Sequence, residues 1–221
     1  KRQNMDATVT SILHKSQEEL EMLARKKVKH LYLGIESGLD DVLKFMKKDH
    51  DLAQAYQAID RLHEAGLIYD AHIMTGVAGK GRGMENAEAL AQFLNRTNPV
   101  HVVNFSMFLH KEVPLYQDIR QGTFVPADEL ETIREEYHLI ERIVPEKAGA
   151  NILYDGFHDF IHVRVRGHLP GDKEKMLAKL NGIIQEYEGK EPVYSFVQGE
   201  CPDLEYCDDG KAVWDMDRKT S

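Results

Sequence analysis

Three short stretches of the chain hold residue types that can do chemistry. Glu36-Ser37-Gly38 sets a carboxylate at the end of an apolar run, His30–Ile35. There it can accept hydrogen bonds from ribose hydroxyls or an ammonium, or serve as a solvated charge or a cap for the next helix. Gly76, Gly79, Gly81 and Gly83 crowd the segment 76–83 and leave backbone free for close approach to a ligand. The segment is neither a Walker A loop, since no Lys-Ser or Lys-Thr pair follows at the right spacing, nor a dinucleotide fingerprint, whose third glycine is out of register; a tight turn explains it as well. Ser106–His110, with Lys111 beside it, closes a third apolar run.

Two further groups invite a metal. His158, His162 and His168 lie near Asp155 and Asp159, and a spacing of four puts the first two on one face of a helix or a strand. A hydrolase using that cluster is one reading; solvated or hydrogen-bonded histidines are the other, because no third or fourth ligand is fixed by the spacing. Cys201 and Cys207, in CPDLEYC, form neither a disulfide framework nor a convincing metal site. No Ser or Cys sits on a nucleophile elbow.

The elements that would position these residues follow from periodicity. Ser16 and Glu19 have capping-box spacing ahead of a helix over about 16–28. His30–Ile35 reads as a buried strand. Helical stretches follow at Asp40–Lys47 and Asp51–Ala65, the latter closed by Gly66. Leu67–Thr75 is a strand, Met84–Asn95 a helix, and Val100–Leu109 a strand too apolar for a sheet that is wet on one face. Asp128–Val144 is a helix with Leu130, Ile133, Tyr137, Ile140 and Val144 as its apolar stripe and an Asp128/Glu131 capping box. Alternating strand and helix predicts parallel βαβ units, belonging either to part of a barrel or to an open doubly wound sheet. Ala150–Val165 has strand character broken by polar residues, Asp172–Glu186 is helical, and residues 200–209 hold five carboxylates and no base.

Composition narrows the classes. The chain has 221 residues, 42% hydrophobic and 29% charged, enough for a core. Its 28 Lys and Arg against 37 Asp and Glu give −9, which disfavours non-specific binding to nucleic acid or anionic membrane. No apolar run reaches the ~18–20 residues of a membrane span, and the first residues lack the apolar core of a signal peptide. The expectation is a cytoplasmic protein without nucleic-acid or membrane partners.

Together the strand ends resemble the second half of a radical S-adenosylmethionine (SAM) enzyme. The likeness runs through LYLGIESGLDDVLKFMKKDH, AIDRLHEAGL, HIMTGVAG, VNFSMFLHKEVPLYQDIRQGTF and YDGFHDFIHVRVRGHLPGDKEKML, covering roughly 10–180, in a bacterial branch distantly related to oxygen-independent coproporphyrinogen III oxidase. The resemblance implies an α/β fold: the later parallel strands of a partial (β/α)6 TIM-like barrel over 1–145, a C-terminal extension over 146–198, and an acidic, mobile tail over 199–221. It implies SAM and a [4Fe–4S] cluster as cofactors, an electron donor, and a 5′-deoxyadenosyl radical that abstracts hydrogen from a small-molecule or unknown substrate. Such clusters need thiolate ligands, and this chain has no CxxxCxxC. The expectation is therefore a fragment, beginning without Met, whose cluster ligands lie upstream. It would be inactive alone and either self-associate or pair with the missing N-terminal part. The alternative is a truncated α/β binding module that has lost the cluster. By resemblance, the cofactor-binding residues are Glu36, Lys48 (where relatives carry an arginine for the SAM carboxylate), His72 (where relatives carry a ribose-binding aspartate), Gly76 and Gly79 on the adenine-side turn, and Ser106 and Met107 at the next strand end. No catalytic residue and no metal ligand is assigned within the chain.

Overall fold

The computed structural model describes residues 3–196 and the backbone of two short strands at 207–208 and 211–212. The acidic tail and the side chains of Cys201 and Cys207 lie outside the described residues.

Six strands form one sheet in strictly sequential order: β1 (Gln3–Ala7), β2 (Val28–Glu36), β3 (Ile68–Thr75), β4 (His101–Ser106), β5 (Ile152–His158) and β6 (Val163–Leu169). The first five are parallel and β6 returns antiparallel to β5. A doubly wound sheet reverses its strand order at a switch point; this one does not, so every connection winds the same way, as in a segment of a barrel. That decides between the two architectures the sequence left open.

The helices are α1 (Val9–Leu13), α2 (Gln17–Arg25), α3 (Asp40–Phe45), α4 (Leu52–Glu64), α5 (Gly83–Thr97), α6 (Leu115–Gln121), α7 (Glu129–Arg142) and α8 (Lys173–Tyr187). Their local chemistry is visible in the caps. The Ser16 hydroxyl accepts from Glu19 N–H while Glu19 accepts from Ser16 N–H at 2.7 Å, closing the expected box on α2. Asp128 caps α7 through Glu131 N–H at 2.8 Å, but Glu131 turns away to accept from Gly81 N–H, so that box is half made. Gly66, at φ 74°, ends α4.

Alternate strand residues Leu31, Leu33, Ile35, Tyr69, Ala71, Ile73, Val102 and Tyr154 are buried with the apolar faces of α1, α2, α4, α5, α7 and α8 in one core. The other face carries Tyr32, Gly34, His72, Met74, His101, Phe105 and Phe157, all partly or well exposed. The expectation of strands buried on both faces is thus corrected: the sheet has one helical layer, and its inner face is open among the described residues. A second cluster at the carboxyl ends of the strands joins Val77, Ala78, Met107, Leu109, Tyr116, Phe124, Tyr194 and Phe196. Residues 193–196 return to it, with Leu109 N–H on Ser195 O at 2.6 Å and Glu129 N–H on Val193 O at 2.8 Å. Segment 146–196 therefore adds two strands and a helix to the same sheet and core.

Candidate functional site

The carboxyl ends of parallel strands leave backbone N–H groups and loop side chains around a common mouth, where ligands of such sheets bind. At the end of β2 the register with β3 slips between Gly34 and Glu36, and Glu36 adopts φ 62°. A left-handed conformation costs a non-glycine residue on the order of 1 kcal/mol. The bulge swings the Glu36 carboxylate back over Gly34, where it meets Lys48 Nζ at 3.1 Å. A Cβ on Gly34 would stand 2.7 Å from Glu36 Oε1 and 3.4 Å from Lys48 Nζ, so glycine makes room for the pair. Lys48 arrives from the turn after α3, where Lys48 N–H bonds Leu43 O at 2.9 Å. Two residues twelve apart in sequence thus converge as a half-buried ion pair. Their opposite charges complement the carboxylate and ammonium of an amino-acid zwitterion.

His72 lies opposite Gly34 in the register of β3. Its ring stands 5.3 Å from Tyr32 and 6.2 Å, edge-on, from Phe105. Phe105 stacks on Phe157 at 5.6 Å, and the Arg164 guanidinium covers Phe157 at 4.7 Å. A row of π faces therefore crosses the open side of the sheet, a surface suited to flat, unsaturated groups.

Behind the mouth lies a buried polar network that the periodicity of α7 concealed. Of the expected stripe, Ile133 and Ile140 are buried and Tyr137 packs against the core, but Val144 is exposed, and Glu129, Thr132, Glu135 and Glu136 of the same helix are buried as well. His158, fully buried, bridges Glu129 Oε2 at 2.9 Å through Nδ1 and Glu136 Oε2 at 3.0 Å through Nε2. Glu136 also accepts from Asn104 at 3.1 Å and Tyr154 at 2.9 Å. Glu129 accepts from Ser106 at 3.0 Å and from Ser195. Glu135 accepts from Gly76 N–H at 2.8 Å and Asn86 at 2.7 Å, and Asn86 in turn accepts from the Ser37 hydroxyl at 2.6 Å. Burial pushes the Glu135 carboxyl up to about 8, against the pull of the Asn86 and Gly76 donors. Burial alone would lower His158, but its bonds to Glu129 and Glu136 outweigh that and raise it to about 10. The network ties the ends of β2, β3, β4 and β5 to one helix, which fixes the mouth.

Several expected site residues sit in this framework. The Gly76 N–H is held by Glu135, and a Cβ there would meet Thr132 Cγ2 at 2.8 Å. Gly79, at φ 81°, packs under Phe124 and Val125. The Ser106 hydroxyl is spent on Glu129, and Met107 is buried in the second cluster with its N–H on Thr75 O at 2.9 Å. What Gly76, Gly79, Ser106 and Met107 offer a ligand is therefore backbone and turn geometry. The histidine hydrolase is corrected outright: in the β5–β6 hairpin His158 faces the helices, whereas His168 lies opposite Leu153 on the other face. Among the described residues no group of three or more His, Cys, Asp or Glu could hold a metal ion. The sequence contains no CxxxCxxC either, so the residues present do not fit a cluster.

Fold and site define a singly wound α/β half-barrel with its binding mouth at the strand ends. Residues 2–94 match the Radical SAM superfamily, the family that the sequence resembles. Over 119 residues, 53% of this chain, it is 25% identical to the tRNA uridine(34) acetyltransferase of Methanocaldococcus infernus, of which it spans 22%. Among solved structures it is similar to the archaeal Methanocaldococcus infernus Elp3 with an N-terminal deletion, with a TM-score of 0.61 and 17% identity over 84% of this chain and 42% of that one. At that identity the likeness is one of fold. No helix among the described residues is long and apolar enough to cross a membrane.

Proposed function

We propose that this chain is the SAM-facing part of a radical SAM enzyme. The observation that carries the reading is the Glu36–Lys48 pair, held at 3.1 Å over Gly34 at the end of the strand that bears the ESG motif. Lys48 receives the carboxylate of the SAM amino-acid group and Glu36 its ammonium, each exchanging one internal contact for a charge-assisted bond to the ligand. His72 offers a ring nitrogen to the ribose hydroxyls from the centre of the sheet. The turn through Gly76 and Gly79 and the strand end at Ser106–Met107 border the adenine with backbone groups. Were SAM bound here beside a [4Fe–4S] cluster held by thiolates other than those of the described residues, the pair would supply hydrogen-atom abstraction from substrate; the residues of this chain would hold and orient the SAM. The Tyr32–His72–Phe105–Phe157 row borders that substrate. The class is oxidoreductase-like and the setting cytoplasmic.

The absence of CxxxCxxC favours a second reading, a binding module of the same fold that performs no radical chemistry. Two measurements separate them. Equilibrium dialysis of SAM should show saturable binding that Glu36→Gln and Lys48→Met each weaken about tenfold; no saturable binding, or binding indifferent to both changes, overturns the site. Iron and acid-labile sulfide in the anaerobically purified gene product should reach about four irons per chain. SAM binding with no iron after reconstitution selects the module.

A further inference from the structure

The SAM reading uses Glu36 of the ESG segment but gives no task to Ser37 and Gly38, the two residues that follow it. Ser37 is fully buried, and its hydroxyl accepts from Leu39 N–H at 3.1 Å while donating to Asn86 Oδ1 at 2.6 Å. It has no proton left for a ligand. Gly38 N–H reaches the same Asn86 oxygen at 3.3 Å. With two donors on Oδ1, the Asn86 amide presents its NH2 to the far side, where it donates to Glu135 Oε1 at 2.7 Å. The other carboxylate oxygen, Glu135 Oε2, accepts from Gly76 N–H at 2.8 Å. Asn86 stands on α5 and Glu135 on α7, both buried. Hydrogen bonds therefore run without a break from the end of β2, through two helices, to the end of β3.

Three glycines make room for this relay. A Cβ on Gly38 would stand 2.5 Å from the backbone of Ala89 and Leu90, too close for α5 to bring Asn86 within reach of Ser37. A Cβ on Gly76 would meet Thr132 Cγ2 at 2.8 Å, and one on Gly83 would stand 2.9 Å from Glu135 Oε2. The ESG segment and the glycine-rich segment are thus shaped around the same carboxyl group. The polarity of the relay is fixed as well. Every bond in it runs from donor to acceptor toward Glu135, which accepts on both oxygens. A glutamine there would turn its NH2 against either the Asn86 amide or the Gly76 N–H, leaving a buried donor unpaired.

We infer that Asn86 and Glu135 are positioning residues of the SAM mouth, holding the ESG segment and the Gly76 turn at one fixed separation so that the two edges bind the ligand as a unit. The inference rests on the SAM reading and deepens it. Neither residue touches the ligand. Glu36 and Lys48 take the amino-acid end of SAM at one edge, and the turn through Gly76 and Gly79 borders the adenine at the other. A ligand that spans both edges binds better when they are already in place, because two independent loops would lose conformational freedom on binding. A buried polar network satisfied at every member rigidifies such a geometry.

The polarity supplies the test. Glu135→Gln and Asn86→Asp should each weaken SAM binding in equilibrium dialysis about tenfold, the first by opposing two donors and the second by opposing two carboxylates. Combined, they should bring it back to within about threefold of the unmodified chain. The new carboxylate at position 86 still accepts from Ser37 and Gly38 and now accepts from the new amide at position 135, whose oxygen takes the Gly76 N–H. Circular dichroism and urea denaturation restrict the comparison to folded chain. Folded single variants that bind SAM as the unmodified chain does, or a double variant no better than the weaker single one, overturn the inference. Should a single variant not fold, Ser37→Ala carries the test through amide hydrogen exchange. Exchange should rise about tenfold at Gly76, on a different strand, as well as at Gly38; unchanged exchange at Gly76 overturns the relay. Absence of saturable SAM binding in the unmodified chain overturns the SAM reading, and with it the ligand named here, while the relay itself is still read by exchange, which needs no ligand.

Discussion

The buried histidine makes a quantitative demand on stability. His158 keeps its proton in the folded chain up to about pH 10, whereas an unfolded histidine gives it up near 6.5. The stabilisation it brings is complete below 6.5 and is lost as pH rises toward 10. Glu135 keeps its proton up to about pH 8 against 4.5 when unfolded, so its contribution also falls with rising pH, between 4.5 and 8. From 6.5 to 8 the folded state therefore holds two protons that the unfolded state has released. Each is worth about 1.4 kcal/mol per pH unit, giving a slope near 2.7 and a loss of at most about 4 kcal/mol across the window. His63 and His101 are lowered by burial, so their opposing effect acts below pH 6.5 and leaves this range clear. Urea denaturation at a series of pH values reads the slope directly. His158→Gln should cost about 3–5 kcal/mol near pH 6.5, because one amide cannot satisfy both Glu129 and Glu136, and it should remove about half the slope. Glu135→Gln should remove the other half, whatever it does to absolute stability. Stability that is flat or rising from pH 6.5 to 8, in a chain whose His158→Gln variant has the same profile, would refute the buried charge arrangement.

Other consequences are as specific. Gly156→Ala would place a Cβ 1.8 Å from Glu136 Oε1, so it should displace that carboxylate, lower stability by roughly 2–4 kcal/mol and flatten the pH profile with it; an unchanged melting curve would contradict the contact. Arg82→Ala should cost no more than about 1 kcal/mol despite ion pairs to Asp41 and Glu85, because those side chains are largely solvated. Chemical denaturation would expose a larger role. The open inner face and the edge of β1, unpaired among the described residues, should make the chain self-associate. Light scattering at high concentration checks this, and a clean monomer counts against it.

Much of the scaffold was legible locally. Capping at Ser16, Gly66 after α4, and the alternation of strands with amphipathic helices depend on neighbours within a few residues, so periodicity located β2 to β4 and α2, α4 and α5 to within a few residues. The short strand β1 and the helices α1 and α6 escaped because each has too few residues to show a period. The apparent single strand at 150–165 is the start of a hairpin, which its polar residues hid: Asp155, Arg164 and Arg166 alternate on the face away from the core.

The candidate site divides in the same way. The ESG segment, the glycine turn and the family likeness were present in residue order, and the family match over residues 2–94 rests on the same order. Tertiary structure alone decided that Glu36 and Lys48 touch, that the sheet winds one way, and that His158 joins two glutamates rather than the other histidines. The physical reason is range. A helix or a cap forms from contacts a few residues apart, but the Glu129–His158, Glu136–His158 and Glu129–Ser195 bonds span 29, 22 and 66 residues. A glutamate on a helix reads as solvent-facing until the chain supplies, from distant strands, the donors that make its burial tolerable.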